Sequence, residues 1–334
     1  MGGQAVLYHL PLTIADRLGF FQAGGLDVHV RDFAGGALAL QAVHDGAAHV
    51  CSGAYEHTLR QQTQGHDYRA FVVQGRAPQQ ALGVSVRALP GYRRPADLRG
   101  RRIGVSAPGS STQVMASVLL ARAGVDPREV SFVGVGTGAT AVAALRTGRV
   151  HALCHADPIM SLLEHRSEVR LVSDLRTLTV AQEVFGGAMP ASCLYAPQAF
   201  LHKEPMVAQA LTNAIVHALK WLQTASPADL IKAVPASYVL GDRAVYLAAF
   251  NRVRETFSPN GLMPEDGPAT ALRALAQAYP HMASPRVSLP RTFTDDLARK
   301  AREFRRKKLV RNSAIPGWYK QRHGGKLHVQ SAAA

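Results

Sequence analysis

Short apolar segments alternate with amphipathic stretches along most of this chain, and glycine or proline residues separate them. Residues 102–106, 130–135 and 150–154 have the composition of strands, and residues 112–123 and 139–146 between them have the pattern of helices. Strands that alternate with helices favour a parallel sheet with helices packed against it. The sequence therefore predicts an α/β fold, and its 334 residues suffice for about two domains.

The same patterns extend over the rest of the chain. We predict further strands at residues 28–33, 48–52, 71–74, 82–86 and 188–196, and further helices at 37–45, 207–222, 245–256 and 268–279. A shift of 102 residues places Phe33-Ala-Gly-Gly-Ala37 on Val135-Gly-Thr-Gly-Ala139 and Gly46 on Gly148. Two lobes of similar build would explain this repeat, and so would chance similarity between two alanine-rich helices.

The positive charge is concentrated at the end of the sequence. The net charge is +15, but 11 of the 38 Lys and Arg residues and only one acid, Glu303, follow position 298. The body of the chain is therefore only mildly basic. We interpret residues 305–334 as a solvated, disordered basic tail, with binding to an anionic membrane or nucleic acid as the alternative. No nucleic-acid partner is expected.

Several classes of protein are excluded or disfavoured. No apolar run reaches 18 residues, so no membrane-spanning helix is predicted. Three cysteines are too few and odd in number for a disulfide framework. The first residues, Met1-Gly-Gly-Gln4, lack the charged and apolar regions of a secretory signal.

Motifs for catalysis and for cofactors are weak. The sequence lacks a Gly-x-Ser-x-Gly elbow, a His-Glu-x-x-His motif and a Cys-x-x-Cys pair, so we predict no catalytic residue and no metal site. Gly134-Val-Gly-Thr-Gly-Ala139 loosely fits a dinucleotide fingerprint, with Asp157 as a ribose partner. It lies in mid-chain without a hydride-transfer constellation, so no cofactor is expected.

Turns that lead from strands into helices carry the stronger signal. In α/β sheets, ligands bind beyond the carboxyl ends of the strands, where helix N-termini present free N–H groups. Pro108-Gly-Ser-Ser-Thr112 is the most informative turn, because one serine can cap the helix while the other hydroxyls and N–H groups hold an anion. Similar turns begin at His9, Ala34, Gly53, Gly136 and His155. Capping without a ligand is the alternative.

Several motifs in order resemble a known family. They include Pro11-Leu-Thr-Ile-Ala-Asp-Arg-Leu-Gly-Phe-Phe21, Gly25-Leu-Asp-Val28, Asp97-Leu-Arg-Gly-Arg-Arg-Ile-Gly-Val105, Ala123-Gly-Val-Asp126 and Ala156-Asp-Pro158. Together they resemble the periplasmic substrate-binding proteins of ABC importers for nitrate, alkanesulfonate, taurine and the thiamine pyrimidine precursor. The resemblance covers roughly residues 2–298.

The resemblance implies a two-lobed type II periplasmic-binding-protein fold, in which each lobe has a mainly parallel sheet flanked by helices. The first lobe would comprise residues 2–83 and 190–304, and the second lobe residues 84–189. Hinge strands are expected near residues 75–86 and 185–194. The family's first strand, which would precede Gly2 and occupy an inner position, is missing from this sequence.

The family's ligand contacts, carried over by motif, combine with the turns above into one predicted site. Its members are His9, Leu10, Gly35, Gly36, Gly53, Tyr55, Ser110, Ser111, Thr112, Thr137, His155 and Asp157. Many relatives have an aromatic residue where His155 and Ala156 stand.

The resemblance implies a periplasmic, monomeric, non-enzymatic protein that delivers a small organic anion, such as a sulfonate or carboxylate, to a membrane permease. Closure of the lobes about a hinge would hold the ligand. The alternative is a protein that binds the thiamine pyrimidine precursor, or an enzyme of the same fold that makes it. That enzyme would need a cysteine-rich iron-binding segment, which three scattered cysteines do not supply.

Overall fold

Two separate sheets organise the chain, and each is covered by helices. The computed structural model describes residues 1–283 and 287–311, with side chains as far as residue 303. In chain order the strands are β1 (Cys51–Ala54), β2 (Tyr68–Val73), β3 (Gln80–Ser85), β4 (Arg102–Val105), β5 (Ser131–Gly134), β6 (Ala152–Ala156), β7 (Val169–Asp174) and β8 (Ser192–Pro197).

The described helices surround these sheets. They are α1 (Leu10–Arg17), α2 (Phe20–Ala23), α3 (Gly36–His44), α4 (Glu56–Thr63), α5 (Ser111–Arg122), α6 (Ala139–Arg146), α7 (Ile159–His165), α8 (Leu178–Phe185), α9 (Gln198–Lys203), α10 (Pro205–Thr224), α11 (Pro227–Ala233), α12 (Arg243–Val253), α13 (Gly267–Ala278) and α14 (Asp296–Arg311).

A three-stranded sheet of order β1-β8-β2 forms the centre of the first lobe. Strand β8 pairs antiparallel with both neighbours, from Cys51 opposite Tyr195 to Tyr68 opposite Pro197. The five-stranded sheet of the second lobe has the order β5-β4-β6-β3-β7. There β4 runs parallel to β5 and β6, while β3 runs antiparallel to β6 and β7.

The predicted mainly parallel sheets therefore occur only in part of the second lobe. The chain crosses from the first sheet into the second between β2 and β3, and it returns through β8. Because β8 enters between two strands of the opposite direction, the first sheet is antiparallel throughout. The crossings lie where we expect the hinge, and β3 begins at Gln80, inside the segment predicted for the first lobe. The proposed lobe boundaries at residues 83 and 190 remain a prediction.

Local signals account for several helix starts and ends. Ser226 caps α11 through the N–H of Asp229 and is followed by Pro227, as the sequence predicts. In the proposed repeat, α3 and α6 each follow a glycine-rich turn and are followed by glycines of positive φ, Gly46 and Gly148. The first copy lacks a regular strand, because residues 28–33 form only an isolated bridge, between Phe33 and Gly2.

The ends of the chain differ from the rest. The amino group of Met1 donates to the Arg31 carbonyl at 2.8 Å, and the N–H of Phe33 donates to the Met1 carbonyl at 2.9 Å. These bonds hold the first residues beside the expected inner strand position. The basic segment that we expect to be disordered from residue 305 continues α14 as far as Arg311, and residues 312–334 lie outside the described part.

Buried apolar side chains join the two lobes. One cluster contains Tyr55 and Leu59 of the first lobe together with Val105 and Val114 of the second. A second cluster packs α1 and α10 against the first sheet, with Ile14 and Ile215 fully buried. Helix α12 packs on α7 of the second lobe, where Arg252 donates to Glu164. No helix in the described ranges combines the length and the hydrophobicity needed to cross a bilayer.

Candidate functional site

A small cavity lies between the two lobes and is lined from both of them. It encloses about 30 Å³. Its first-lobe walls are Gly2, Val6, Tyr8, His9, Gly36, Gly53, Ala54 and His57, and its second-lobe walls are Gln80, Ser106, Ser111, Thr112, Thr137, His155 and Ala156.

The lobes touch directly around this cavity. The N–H of Ala37 donates to Ser110 Oγ at 2.9 Å, and the guanidinium of Arg60 donates to the Gly109 carbonyl at 2.8 Å. A Cβ on Gly35 would lie 2.6 Å from the Ala107 Cβ, so only glycine permits this approach. The structure is therefore a closed arrangement of the two lobes.

Helix N-termini meet at the cavity, as the strand-to-helix turns predict. Gly36 begins α3, His57 lies in the first turn of α4, Ser111 begins α5, and Thr137 precedes α6. The first N–H groups of a helix have no acceptor within it, and the helix dipole is positive at this end. The cavity therefore favours an electronegative group, although neither Lys nor Arg is among its lining residues.

The hydroxyl groups of the Ser110–Thr112 turn are divided among different tasks. Ser110 is the N-cap of α5 but does not cap it with its side chain, because its Oγ bonds across the cleft to Ala37. Thr112 Oγ1 accepts from the N–H of Ser106 at 2.9 Å and stabilises the turn. Ser111 Oγ accepts from Gln80 Nε2 at 3.0 Å and faces the cavity.

Three buried histidines line the cavity, and burial makes them neutral. Burial lowers the pKa of His9 and of His57 from the usual 6.5 to about 3, and it also lowers the pKa of His155. The rings are therefore neutral hydrogen-bonding groups at physiological pH, since protonating them would place a charge in the interior.

The three imidazoles differ in what they leave free. His9 Nδ1 lies 3.1 Å from Ser52 Oγ, which also accepts from Gln74. His155 Nδ1 accepts from the N–H of Ala156, and its Nε2 donates to the Gly136 carbonyl, so that it supports the turn before α6. His57 Nδ1 bonds to the Tyr195 hydroxyl at 2.8 Å, and its Nε2 is buried without a partner.

The structure brings seven of the predicted site residues to the cavity wall: His9, Gly36, Gly53, Ser111, Thr112, Thr137 and His155. Gly35 and Ser110 instead form the contact between the lobes. Gly35 and Ser110 would therefore act on closure rather than touch a ligand.

Three predicted residues lie outside the cavity for clear physical reasons. Leu10 belongs to the apolar cluster under α1, because its side chain points into the first lobe. Tyr55 is buried below the sheet, and its hydroxyl bonds to Thr292 Oγ1 at 2.6 Å. Asp157 is fully buried in an ion pair with Arg176, at 3.2 Å, and supports the N–H of Ser161.

Sequence reasoning missed Tyr8, His57 and Gln80, which all face the cavity. Each carries a buried polar atom without a partner: the Tyr8 hydroxyl, His57 Nε2 and Gln80 Oε1. Tyr8 and His57 were within reach, since they adjoin turns that the sequence singles out. Gln80 lies on the crossing strand β3, where only the tertiary structure shows that it meets α5.

Neither a metal cluster nor a reactive thiol supports catalysis here. No group of three or more His, Cys, Asp or Glu side chains within residues 1–283 and 287–303 has the arrangement of a metal site. Cys51, Cys154 and Cys193 are buried, and burial raises the pKa of each thiol. The thiolate form that acts as a nucleophile is therefore disfavoured.

The sequence matches the family model described as NMT1/THI5 like over residues 6–228. A protein of solved structure from Bordetella bronchiseptica RB50 is 53% identical, with a TM-score of 0.89, over 91% of this chain and 95% of that chain. No curated protein matches the sequence. The resemblance drawn from the sequence motifs is confirmed at the level of family and fold.

More distant structures share the fold. The alkanesulfonate-binding protein SsuA from Xanthomonas axonopodis pv. citri, bound to MOPS, is 20% identical with a TM-score of 0.64, over 87% of this chain and 96% of that chain. The desulfurization enzyme DSZB is 18% identical with a TM-score of 0.57, over 90% of this chain and 97% of that chain. The fold therefore occurs both in a binding protein and in an enzyme.

Proposed function

Since this chain belongs to the NMT1/THI5-like family, we propose that it is the substrate-binding component of an ABC importer. It would bind a small organic anion between its two lobes and present the closed, loaded form to a membrane permease. Action in the periplasm as a monomer is part of this proposal.

One observation carries the proposal: a cavity between two contacting lobes holds buried polar atoms that lack partners. Tyr8 hydroxyl, His57 Nε2 and Gln80 Oε1 all face this space. Burying an unpaired polar group costs about 1–3 kcal/mol, so a ligand that bonds to such groups gains affinity from them. Contacts from both lobes also make the closed state the state that binds.

The acidic head of the ligand would lie at the start of α5 and α6. Ser111 supplies a hydroxyl there, and the first N–H groups of both helices supply donors without a formal charge. A cavity of about 30 Å³ suits a compact head group, with lobe opening needed to admit the ligand.

An enzymatic role is the weaker alternative. The buried thiols, with their raised pKa values, do not support nucleophilic chemistry by cysteine. The neutral histidines are bonded to neighbouring groups or face the cavity as donors and acceptors, without a paired acid or nucleophile. These features support binding over catalysis.

A thermal-shift screen tests the proposed function directly. The purified chain would be titrated with sulfonates, nitrate, carboxylates and aminopyrimidines. A ligand that binds only the folded state raises the midpoint as its concentration passes Kd, by about 2.7 kcal/mol of stability at 100 Kd. A dose-dependent rise with a small organic ligand supports the proposal, and turnover of any of these compounds would contradict it.

We expect Ser111→Ala to weaken binding of the ligand found in this screen by about tenfold, because the hydroxyl at the start of α5 is lost. Titration calorimetry would measure the change. Ser117→Ala is the matched control, since Ser117 lies in the same helix but bonds to the Tyr279 hydroxyl, away from the cavity. Equal affinity of the two variants would remove Ser111 from the site.

We expect Gly35→Ala to prevent full closure of the lobes. Its backbone is extended, so alanine fits locally, but the new Cβ would lie 2.6 Å from the Ala107 Cβ and 2.8 Å from Ser110 Oγ. Ligand affinity should fall by about tenfold or more, because contacts across the cleft are lost. X-ray scattering should then show no compaction on adding ligand.

The control for closure is Gly91→Ala. A Cβ at Gly91 meets no atom within 4 Å, so this variant should bind and compact like the wild type. Normal compaction of Gly35→Ala would show that the lobes close in another way.

A further inference from the structure

The cavity continues into a smaller chamber that the predicted site does not include. Tyr8, Gln80 and Ser111 line both spaces, so the two adjoin. The smaller space, of about 10 Å³, is called the side chamber here. Its other walls are Glu56, Pro78, Met115, Met189, Pro190 and Ala191.

Glu56 is the only charged residue that lines the side chamber. It begins α4 and is 2% exposed. Its Oε1 has no hydrogen-bond partner, and none of the ion pairs of the described residues includes it. Burial raises the pKa of this carboxyl to about 7. A carboxyl placed in this way is costly to the fold and offers an acceptor to whatever enters the chamber.

The polar neighbours of Glu56 point to the same type of partner. The amide nitrogen of Gln80 is already used by Ser111, which leaves its Oε1 as a buried acceptor without a donor. The Tyr8 hydroxyl is also buried without a partner and lies close enough to Glu56 for the carboxylate to raise the pKa of the phenol. Two acceptors and a hydroxyl therefore face one small space.

The remaining walls are apolar. Pro78, Met115, Met189 and Pro190 enclose the chamber with carbon and sulfur atoms, which pack against a carbon skeleton. They cannot donate hydrogen bonds to Glu56 or Gln80. The donors that satisfy these acceptors must come from the bound molecule.

We propose that the side chamber is a specificity subsite in which the Glu56 carboxylate and Gln80 Oε1 accept N–H groups of the ligand. The ligand then carries an amino group, or an amino-substituted heterocycle, at the end opposite its acidic head. Glu56 is the residue that distinguishes such a ligand from an amino-free analogue. This inference rests on the proposed function, because it assigns the second end of the same ligand.

Matched probes that differ only in the amino group test the subsite. Aminoethanesulfonate would be compared with ethanesulfonate, and aminopyrimidine with pyrimidine, by titration calorimetry on the full chain. We expect the wild type to prefer the amino-bearing member of the pair it binds by about tenfold or more, since a hydrogen bond to a charged group is lost in the other.

Glu56→Gln should remove this preference. The amino-bearing probe should lose about tenfold to a hundredfold in affinity, and the amino-free probe should change by less than about twofold. Glu56→Asp keeps the charge but retracts the carboxylate, so it should weaken the same probe. Glu129→Gln is the control, because it removes an exposed carboxylate that pairs with Arg99.

The outcomes separate the two proposals. Equal binding of both members to the wild type, or a preference that persists in Glu56→Gln, overturns the subsite and leaves the binding function standing. If the broader thermal-shift screen finds no ligand at all, the proposed function fails and the subsite fails with it. A heat-stable Glu56→Gln variant with normal binding of the amino-free probe excludes misfolding as the cause.

Discussion

Arg176→Met should lower the free energy of unfolding by about 3–5 kcal/mol, because it leaves buried carboxylates without their cation. The guanidinium of Arg176 is fully buried and bonds to Asp174 at 2.6 Å, to Asp157 at 3.2 Å and to Glu164 at 2.9 Å. Methionine matches the length of the side chain and adds no polar group. Urea unfolding of the wild type and the variant would measure the loss.

Two further variants identify the cause of that loss. Arg128→Met removes an arginine that also bonds to a carboxylate, Asp126, but its side chain is 90% exposed, so its unfolding midpoint should not change. Asp174→Asn in the Arg176→Met background should recover part of the stability, because it neutralises one uncompensated carboxylate. A loss no greater than that of Arg128→Met would show that the buried network contributes little.

Acidification below about pH 6.5 should destabilise the protein through its cavity histidines. The unfolded chain binds protons at the usual histidine pKa of 6.5, whereas folded His9 and His57 bind them only near 3. Protonation therefore favours unfolding between these values, by about 1.4 kcal/mol per pH unit for each residue. Between pH 6.5 and pH 5 the two together lower the free energy of unfolding by about 4 kcal/mol.

Glu56 acts in the opposite direction over the same range. Its pKa is about 7 in the folded state and 4.5 in the unfolded chain, so the folded state holds an extra proton between these values. Acidification from pH 6.5 to pH 5 gains about 2 kcal/mol from this group, which leaves a net loss of about 2 kcal/mol. Glu56→Gln removes the gain, and the full loss of about 4 kcal/mol should appear.

Urea unfolding at several pH values would measure these slopes. The wild type should lose stability slowly below pH 6.5, Glu56→Gln should lose it about twice as steeply, and His57→Gln should lose less than the wild type. Equal slopes in all three proteins would show that these groups are not buried as the structure describes.

Much of the fold could be predicted because its signals are local. The helix at residues 139–146 has the predicted bounds, and those of α5 and α13 differ from prediction by a single residue. Ser226 and Pro227 begin α11 as their residue types indicate. The direction of β8 could not be predicted, because an apolar strand has the same composition whether its neighbours run parallel or antiparallel.

The candidate site divides in the same way. The turns at Gly36, Gly53, Ser111 and Thr137 reach the cavity because each strand-to-helix turn lies at the same edge of a sheet. Ser110 and Thr112 belong to such a turn, but their hydroxyls bond across the cleft and within the turn. Residue type alone predicted a hydroxyl near the ligand, and only packing decided which hydroxyl is available.

The sequence by itself determined the family, the alternation of strands and helices, and the turns that place helix N-termini at one cleft. These properties depend on neighbouring residues, which are encoded side by side. The tertiary structure decided that Arg176 neutralises Asp157, that Glu56 and Gln80 face one side chamber, and that Gly35 meets Ala107 across the lobes. Each of these contacts joins residues far apart in the chain, so it exists only once the two lobes have folded and closed.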